Sequence, residues 1–294
     1  MLTHHTTTPP ERVVILGAGG FVGGTTLAHL RAQGVPTLAL GRPGLDLLAP
    51  EAATALAAAL RPTDTLVFVS AIAPVKNSAM LLDNLRMGAA VTTALRQQPV
   101  AHVIYVSSDA VYKDSDGPLD ETSCAEPGSL HGVMHLAREV MLKAEVAAPL
   151  AIVRPTLIYG TNDPHNGYGP NRFRRQAAKG ETITLFGEGE ERRDHVDVRD
   201  VADLIARIAA HRSTGVANAT SGEVVSFRTL AEFAAGRFAP HVAVKGTPRS
   251  GAMPHNGYRP FAPSAALRAF PGFTFKSWRD GYAHTCDEVA KARG

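Results

Sequence analysis

Three glycines at intervals of three, Gly17, Gly20 and Gly23, follow a short apolar run, Val13–Leu16, and open a helix-like stretch that begins at Phe21 and Val22. The first glycine lets a strand turn sharply. The second lets the backbone approach a pyrophosphate, and the third lets the helix pack on the strand. Phosphates then lie at the helix N-terminus, where free N–H groups and the positive end of the dipole point at them. A glycine triplet by itself also suits an ordinary strand–helix turn. Here the flanking strand and helix signals supply the context of a dinucleotide-binding turn.

The rest of the first half alternates in the same way. Strands are predicted at 13–16, 37–40, 65–69, 102–107 and 150–153, with helices at 21–33, 51–60, 79–98 and 129–147. Strands joined by helices of this length imply an α/β fold, a doubly wound parallel sheet of Rossmann type, whose ligands bind at the carboxyl ends of the strands. After Pro155 the texture changes. Residues 160–176 are rich in Gly, Asn, Pro and Arg, and several prolines fall between 239 and 271. The reading is a dinucleotide-binding domain over 1–160 and a smaller C-terminal substrate lobe over 161–294, partly interwoven with it.

Composition sets the remaining bounds. Of 294 residues 45% are hydrophobic and 19% charged, enough apolar surface for a sizeable core, and the formal charge of +3 carries no basic block that argues for nucleic acid. No apolar stretch of membrane-spanning length occurs, and the first ten residues lack an apolar signal core. Cys124 and Cys286 form no metal or redox motif, which suits a reduced cytoplasmic compartment.

The turn after the second strand bears on the choice of dinucleotide. An acidic residue there usually takes the ribose 2′-hydroxyl of NAD. This chain instead has Gly41-Arg42: no carboxylate to repel a 2′-phosphate and a guanidinium to bind one. NADP is the expected cofactor, with NAD the alternative, and Asp46 and Leu47 stand where an adenine is often lined.

Several motifs together resemble the extended short-chain dehydrogenase/reductase family, the group of nucleotide-sugar epimerases, dehydratases and reductases. They are the glycine pattern, Ser70-Ala71-Ile72-Ala73 after the third strand, Ser107-Ser108-Asp109-Ala110-Val111-Tyr112, Arg154-Pro155-Thr156-Leu157-Ile158-Tyr159-Gly160, and Arg193-Asp194-His195-Val196. The resemblance implies that Ser70, Ala71, Ile72 and Pro155 pass the nicotinamide half of the cofactor. It implies that Ser108 holds the reacting oxygen and that Asp109 is an acid candidate, as in the dehydratases. The glutamate that follows the aspartate there is Ala110 here.

The chain departs from the family at the catalytic helix. The family's Tyr-Gly-x-x-Lys, with a glutamate four residues later, reads here His131-Gly132-Val133-Met134-His135, then Glu139. His131 stands in the tyrosine's place and His135 in the lysine's, and no tyrosine in the chain has a lysine four residues on. In the family the tyrosine exchanges the proton of the substrate alcohol, while the lysine binds the ribose and lowers the tyrosine's pKa. Imidazole trades protons near neutrality without such help. Two histidines one helical turn apart also suit a metal, but His-Glu-x-x-His is absent and no third ligand is apparent, so none is assigned. The alternative is that both merely fill the cleft of a protein that has lost this chemistry.

On the substrate side, Asn171 and Arg172 open a predicted helix, Arg193 matches the family arginine that meets a nucleotide diphosphate, and Arg259 precedes a proline-rich segment. They suggest a nucleotide-diphosphate sugar, with a small keto or hydroxy compound as the alternative. The helix at 129–147 carries Leu130, Val133, Met134, Ala137, Val140 and Met141, more apolar positions than one buried face needs, which with the family habit suggests a homodimer. Two functions follow: an NADP-dependent oxidoreductase or epimerase with His131 in the tyrosine's place, or an inactive NADP(H)-binding regulator or scaffold.

Overall fold

A computed structural model describes residues 2–291. Its first half is strand–helix alternation: β1 (Val13–Leu16), α1 (Phe21–Ala32), β2 (Thr37–Leu40), α2 (Ala52–Ala59), β3 (Thr65–Phe68), α3 (Ser78–Gln97), β4 (His102–Val106), α4 (Leu130–Glu145) and β5 (Leu150–Pro155). The two long helices start one residue away from the sequence expectation because polar side chains cap them. Asn77 Oδ1 accepts from the Met80 N–H, and Ser129 Oγ accepts from the Gly132 N–H.

The second half comprises β6 (Leu157–Tyr159), α5 (Pro170–Lys179), β7 (Ile183–Phe186), β8 (Arg192–Asp197), α6 (Val198–Ala210), β9 (Gly215–Ala219), β10 (Val224–Ser226), α7 (Phe227–Ala235), β11 (Val244–Thr247), β12 (Tyr258–Arg259), α8 (Ser264–Ala269) and α9 (Trp278–Lys291). The main sheet is parallel, in the order β2-β1-β3-β4-β5-β9. Its last strand therefore comes from well beyond residue 160, and α6 packs back onto α1. A smaller sheet has β8 at its centre, flanked by β6, β10 and β12, and β7 pairs with β11.

Alternation along the strands gives the sheet two dry faces. Val13, Ile15, Val67, Ile104 and Val153 face one way, onto Val201, Leu204, Ile205 and Ile208 of α6. Val14, Leu16, Leu66, Phe68, Val103 and Tyr105 face the other way, onto Met87, Val91 and Leu95 of α3 and Leu142 of α4. Fully burying side chains of this size contributes about 1.5–3 kcal/mol each.

One ionic contact ties α4 to the sheet. Glu139 is fully buried and accepts two bonds from Arg154 on β5, at 2.9 and 2.6 Å, and one from Ser107 Oγ at the end of β4, at 2.6 Å. Three accepted hydrogen bonds, two of them from a guanidinium, are what make this buried carboxylate tolerable. Glu139→Ala should lower stability by about 3–5 kcal/mol, the cost of leaving a buried guanidinium unpaired. Lys143 lies 3.7 Å from the same carboxylate but its side chain is 52% exposed, so Lys143→Ala should cost less than about 1 kcal/mol. Urea midpoints of the two variants check this, and equal midpoints would refute it.

Candidate active site

The carboxyl ends of β1 to β5 open into one cleft of about 1180 Å³, bordered on its far side by residues 163–165, Arg193 of β8 and Arg259 of β12. Its floor at β1 is the glycine turn. Gly17 has φ +103°, and a Cβ there would lie 2.8 Å from the Ser70 backbone nitrogen. A Cβ on Gly23 would lie 2.2 Å from the Gly17 carbonyl oxygen, so only glycine lets α1 come this close to β1. Gly20 caps α1 without a side chain, which leaves the first-turn amides at Phe21 and Val22 facing the cleft with no side-chain partner. This cradle fits a pyrophosphate. Arg42, Asp46 and Leu47 line the cleft after β2, with Arg42 exposed and, among the described residues, in no ion pair.

The next wall is the segment after β3, where Ser70, Ala71 and Ile72 line the cleft as expected. What holds it was not foreseen. Arg138 of α4 is 1% exposed; its guanidinium donates to the Ser70 carbonyl at 2.8 Å, and to the Asn84 carbonyl at 2.9 and 2.7 Å, and lies over the Phe68 ring. Asn84, also buried, accepts from the Ile72 N–H and donates to the Ile72 carbonyl, both at 3.0 Å. Arg138 follows His135 by three positions on one helix face, so its inward direction was legible; Asn84 left no sequence signal.

The middle of the cleft is where α4 meets the loop after β4. A Cβ on Gly132 would lie 2.0 Å from the Ala110 carbonyl oxygen, so this glycine lets the helix start against that loop. His131 and His135 thereby line the same cleft as Ser108 and Asp109. The two imidazoles stand perpendicular with centroids 4.7 Å apart. His135 is 6% exposed, and its Nδ1 shares a 2.8 Å hydrogen bond with the hydroxyl of Tyr105 from β4. Burial, then the neighbouring His131 and Arg138, keeps His135 well below the ordinary histidine range. Burial also lowers His131, against the pull of Asp109, and its Nδ1 is buried with no hydrogen-bond partner. Both rings are thus uncharged at neutral pH. Among the described residues, no group of three or more His, Cys, Asp or Glu is placed to hold a metal.

At the second lobe, Arg193 and Arg259 reach the cleft and meet Asp109 there, with nitrogen–oxygen distances of 3.8 and 3.5 Å. Pro155 lines the cleft nearby. Asn171 and Arg172 do not line it. The Asn171 amide is spent on the backbone, accepting from the Gly160 N–H at 3.0 Å and donating to the Ile158 carbonyl at 3.2 Å.

A model of the NAD dependent epimerase/dehydratase family matches residues 13–221. The chain belongs to that family. Among its relatives, a UDP-glucose epimerase of Bacillus subtilis, itself uncharacterised, is 23% identical over 62% of each chain. A dTDP-L-rhamnose 4-epimerase of Burkholderia thailandensis is 32% identical over 44% of this chain and 38% of that protein. The chain therefore spans less than two thirds of the length of these relatives. UDP-glucose 4-epimerase of Thermus thermophilus, solved with NAD, superposes with a TM-score of 0.81 at 22% identity, covering 96% of this chain and 99% of that one. RMD of Pseudomonas aeruginosa, solved with NADPH, superposes with 0.83 at 20% identity over 97% and 100%. These structures share the parallel Rossmann-type fold.

Away from the cleft, burial lowers His102 to about 4 and His195 to about 3. One ring nitrogen of each is bonded, and the other has no partner. Histidines held below their unfolded value bind protons first in the unfolded chain. Stability is therefore full above about pH 6.5 and falls as the pH drops below it. Each of these two should cost roughly 2 kcal/mol by pH 5 relative to pH 8. Urea unfolding at the two pH values tests this, and an unchanged midpoint would contradict it.

Proposed function

We propose that the chain is an NADP-dependent oxidoreductase or epimerase that moves hydride to or from a hydroxyl-bearing carbon of a carbohydrate-like substrate. The observation that carries this is the single cleft that brings the glycine cradle and Arg42 together with Ser108, Asp109 and His131. The family and the sugar epimerases among its relatives support the reaction class. The nicotinamide, when bound, supplies the hydride acceptor or donor.

In this reading the first-turn amides of α1, with Gly17 and Gly20, hold the pyrophosphate. Arg42 takes the 2′-phosphate that separates NADP from NAD. Asp46 and Leu47 border the adenine, and the Ser70–Ile72 segment and Pro155 border the nicotinamide half. Ser108 Oγ is positioned by the Ala110 N–H, from which it accepts at 3.1 Å, and it donates to Asp109 at 3.3 Å. It orients the reacting oxygen. His131, neutral at working pH, takes the alcohol's proton as hydride leaves. Its Nδ1 has no acceptor when protonated, which keeps its basicity low. His135, tethered through Nδ1 to Tyr105, offers its other nitrogen to the ribose hydroxyls where the family has a cation.

The deciding experiment titrates the purified protein with NADP⁺ and NAD⁺ and follows absorbance at 340 nm with candidate alcohols. Arg42→Ala should weaken NADP⁺ by about tenfold or more, the loss of a charge-assisted contact, and leave NAD⁺ unchanged. Tighter binding of NAD⁺ by the wild type would overturn the cofactor assignment. His131→Ala should lower turnover by about a hundredfold with cofactor binding intact. Oxidation should fall only as the pH drops below the ordinary histidine range, because protonation removes the base. Full activity in His131→Ala removes it from the mechanism. Cofactor binding with no hydride exchange in the wild type would instead mark a binding protein.

We also propose a homodimer through α3 and α4. Leu82, Leu130, Val133 and Val140 stand 37–57% exposed on these two helices, whereas Met134 turns inward and is fully buried. Sedimentation at micromolar concentration should give a dimer that Val140→Glu dissociates, and a wild-type monomer would refute it.

A further inference from the structure

A third histidine lines the cleft, from the second lobe: His255, in the turn at 254–257 that leads into β12. Three successive residues there take left-handed backbone, His255 at φ +52°, Asn256 at +50° and Gly257 at +77°. Only the glycine does so at no steric cost, and residues held this way collect at functional sites. The turn brings the ring against Asp114, from the loop after β4, with His255 Nδ1 2.5 Å from Asp114 Oδ1. Arg259 braces the same carboxylate through Nη1, which lies 2.8 Å from His255 Nδ1. Its Nη2 is fixed by the carbonyls of Asp109 and Tyr112, at 2.9 and 3.2 Å. Its Nε lies 3.5 Å from the Asp109 carboxylate, which accepts from Ser108 at 3.3 Å. One guanidinium and one carboxylate thus separate His255 from Ser108.

A ring nitrogen 2.5 Å from a carboxylate oxygen carries the hydrogen, because two lone pairs at that distance repel. In a neutral imidazole the other nitrogen then holds the lone pair. His255 Nε2 has no hydrogen-bond partner among the described residues, and the side chain is 27% exposed. Burial, then Arg193, holds the ring below the ordinary histidine range, while Asp114 pulls the other way and Arg259 adds to the lowering. The ring is therefore uncharged at neutral pH. A carboxylate that fixes the tautomer and direction of an imidazole in this way prepares a general base. Resting on the redox reading above, we propose that His255, set by Asp114, is a second general base of this cleft, one that takes its proton from carbon. Oxidation of the alcohol leaves a ketone, with the hydroxyl proton on His131, and acidifies the C–H bond on the neighbouring carbon. His255 Nε2 takes that hydrogen as a proton. The C–H electron pair becomes the double bond of an enolate, whose charge falls on the oxygen held by Ser108. Returning a proton from Nε2 to the carbon restores the ketone, so no further oxidant or reductant is consumed. Because the imidazolium trades its proton with water, the carbon acquires hydrogen from solvent. Asp114 acts through His255 and is a positioning residue.

The test supplies the ketone ready-made, so that it does not depend on hydride transfer. Full-length protein in heavy water is given hydroxyacetone or a nucleotide-linked keto sugar, and deuterium on the carbon beside the carbonyl is followed by proton NMR. Wild type should exchange that hydrogen above the buffer rate. His255→Gln should lower the exchange by about a hundredfold, and Asp114→Ala by about tenfold or more, both with NADP⁺ binding intact. A second readout needs no substrate. In nitrogen-15 spectra of the histidine-labelled protein at pH 8, His255 should carry its hydrogen on Nδ1, and Asp114→Ala should shift it to Nε2, the form a free imidazole prefers. No exchange above buffer with either ketone would overturn the proposal. So would exchange that survives in His255→Gln, which would assign the base elsewhere, or a wild-type His255 with its hydrogen on Nε2. Exchange without any hydride transfer to NADP⁺ would sink the redox reading and leave the base in place; hydride transfer without exchange would do the reverse.

Discussion

A buried guanidinium organises the middle of this molecule. Arg138 faces no carboxylate among the described residues and spends its donors on the carbonyls of Ser70 and Asn84. Those three bonds join α4, α3 and the segment after β3 at one point, and that segment is a wall of the cleft. A charge buried this way is tolerable only because each bond is charge-assisted and the Phe68 ring lies beneath it. The same charge reaches His135 one turn earlier and disfavours a second cation there. The lysine typical of the family would have to share this pocket with Arg138, whereas a neutral imidazole held by Tyr105 does not.

The pair at 131 and 135 therefore changes the electrostatics of the cleft more than its shape. A tyrosine–lysine pair puts a fixed positive charge beside the reacting atoms and uses it to make a phenol acidic. Two imidazoles whose proton affinity burial lowers supply no such field. In the proposed reaction proton exchange falls to the ring at 131 itself, whose basicity burial lowers and Asp109 raises, and whose Nδ1 has no hydrogen-bond partner. Glu139, the last member of the motif, has a different role: it accepts from Arg154 and Ser107 beneath the helix and so ties α4 to β5 and the end of β4.

Much of this was already in the sequence. Short continuous apolar strands, helices of ten or so residues and the glycine triplet are local signals, and each specifies backbone geometry that no distant residue has to supply. They determined the parallel α/β architecture, the elements of the first half to within a few residues and the place of the glycine turn, where close approach at Gly17 and Gly23 admits only glycine. The motif order along the chain also marked the places of Ser108, Asp109, His131, His135, Arg193 and Arg259. Tertiary structure alone decided what those groups are bonded to. Arg138 with Asn84, Tyr105 with His135, and Arg193 with Glu191 and Asp109 join elements that packing brings together, and pairing of that kind leaves no periodic trace. Nor does sequence say whether an arginine in the right place is free, because its available charge depends on which carboxylates the second lobe folds against it. The same holds for Asn171, whose position opens a helix as expected while its amide turns away from the cleft to satisfy buried backbone groups of Ile158 and Gly160, a demand that arises only once those groups have lost their water.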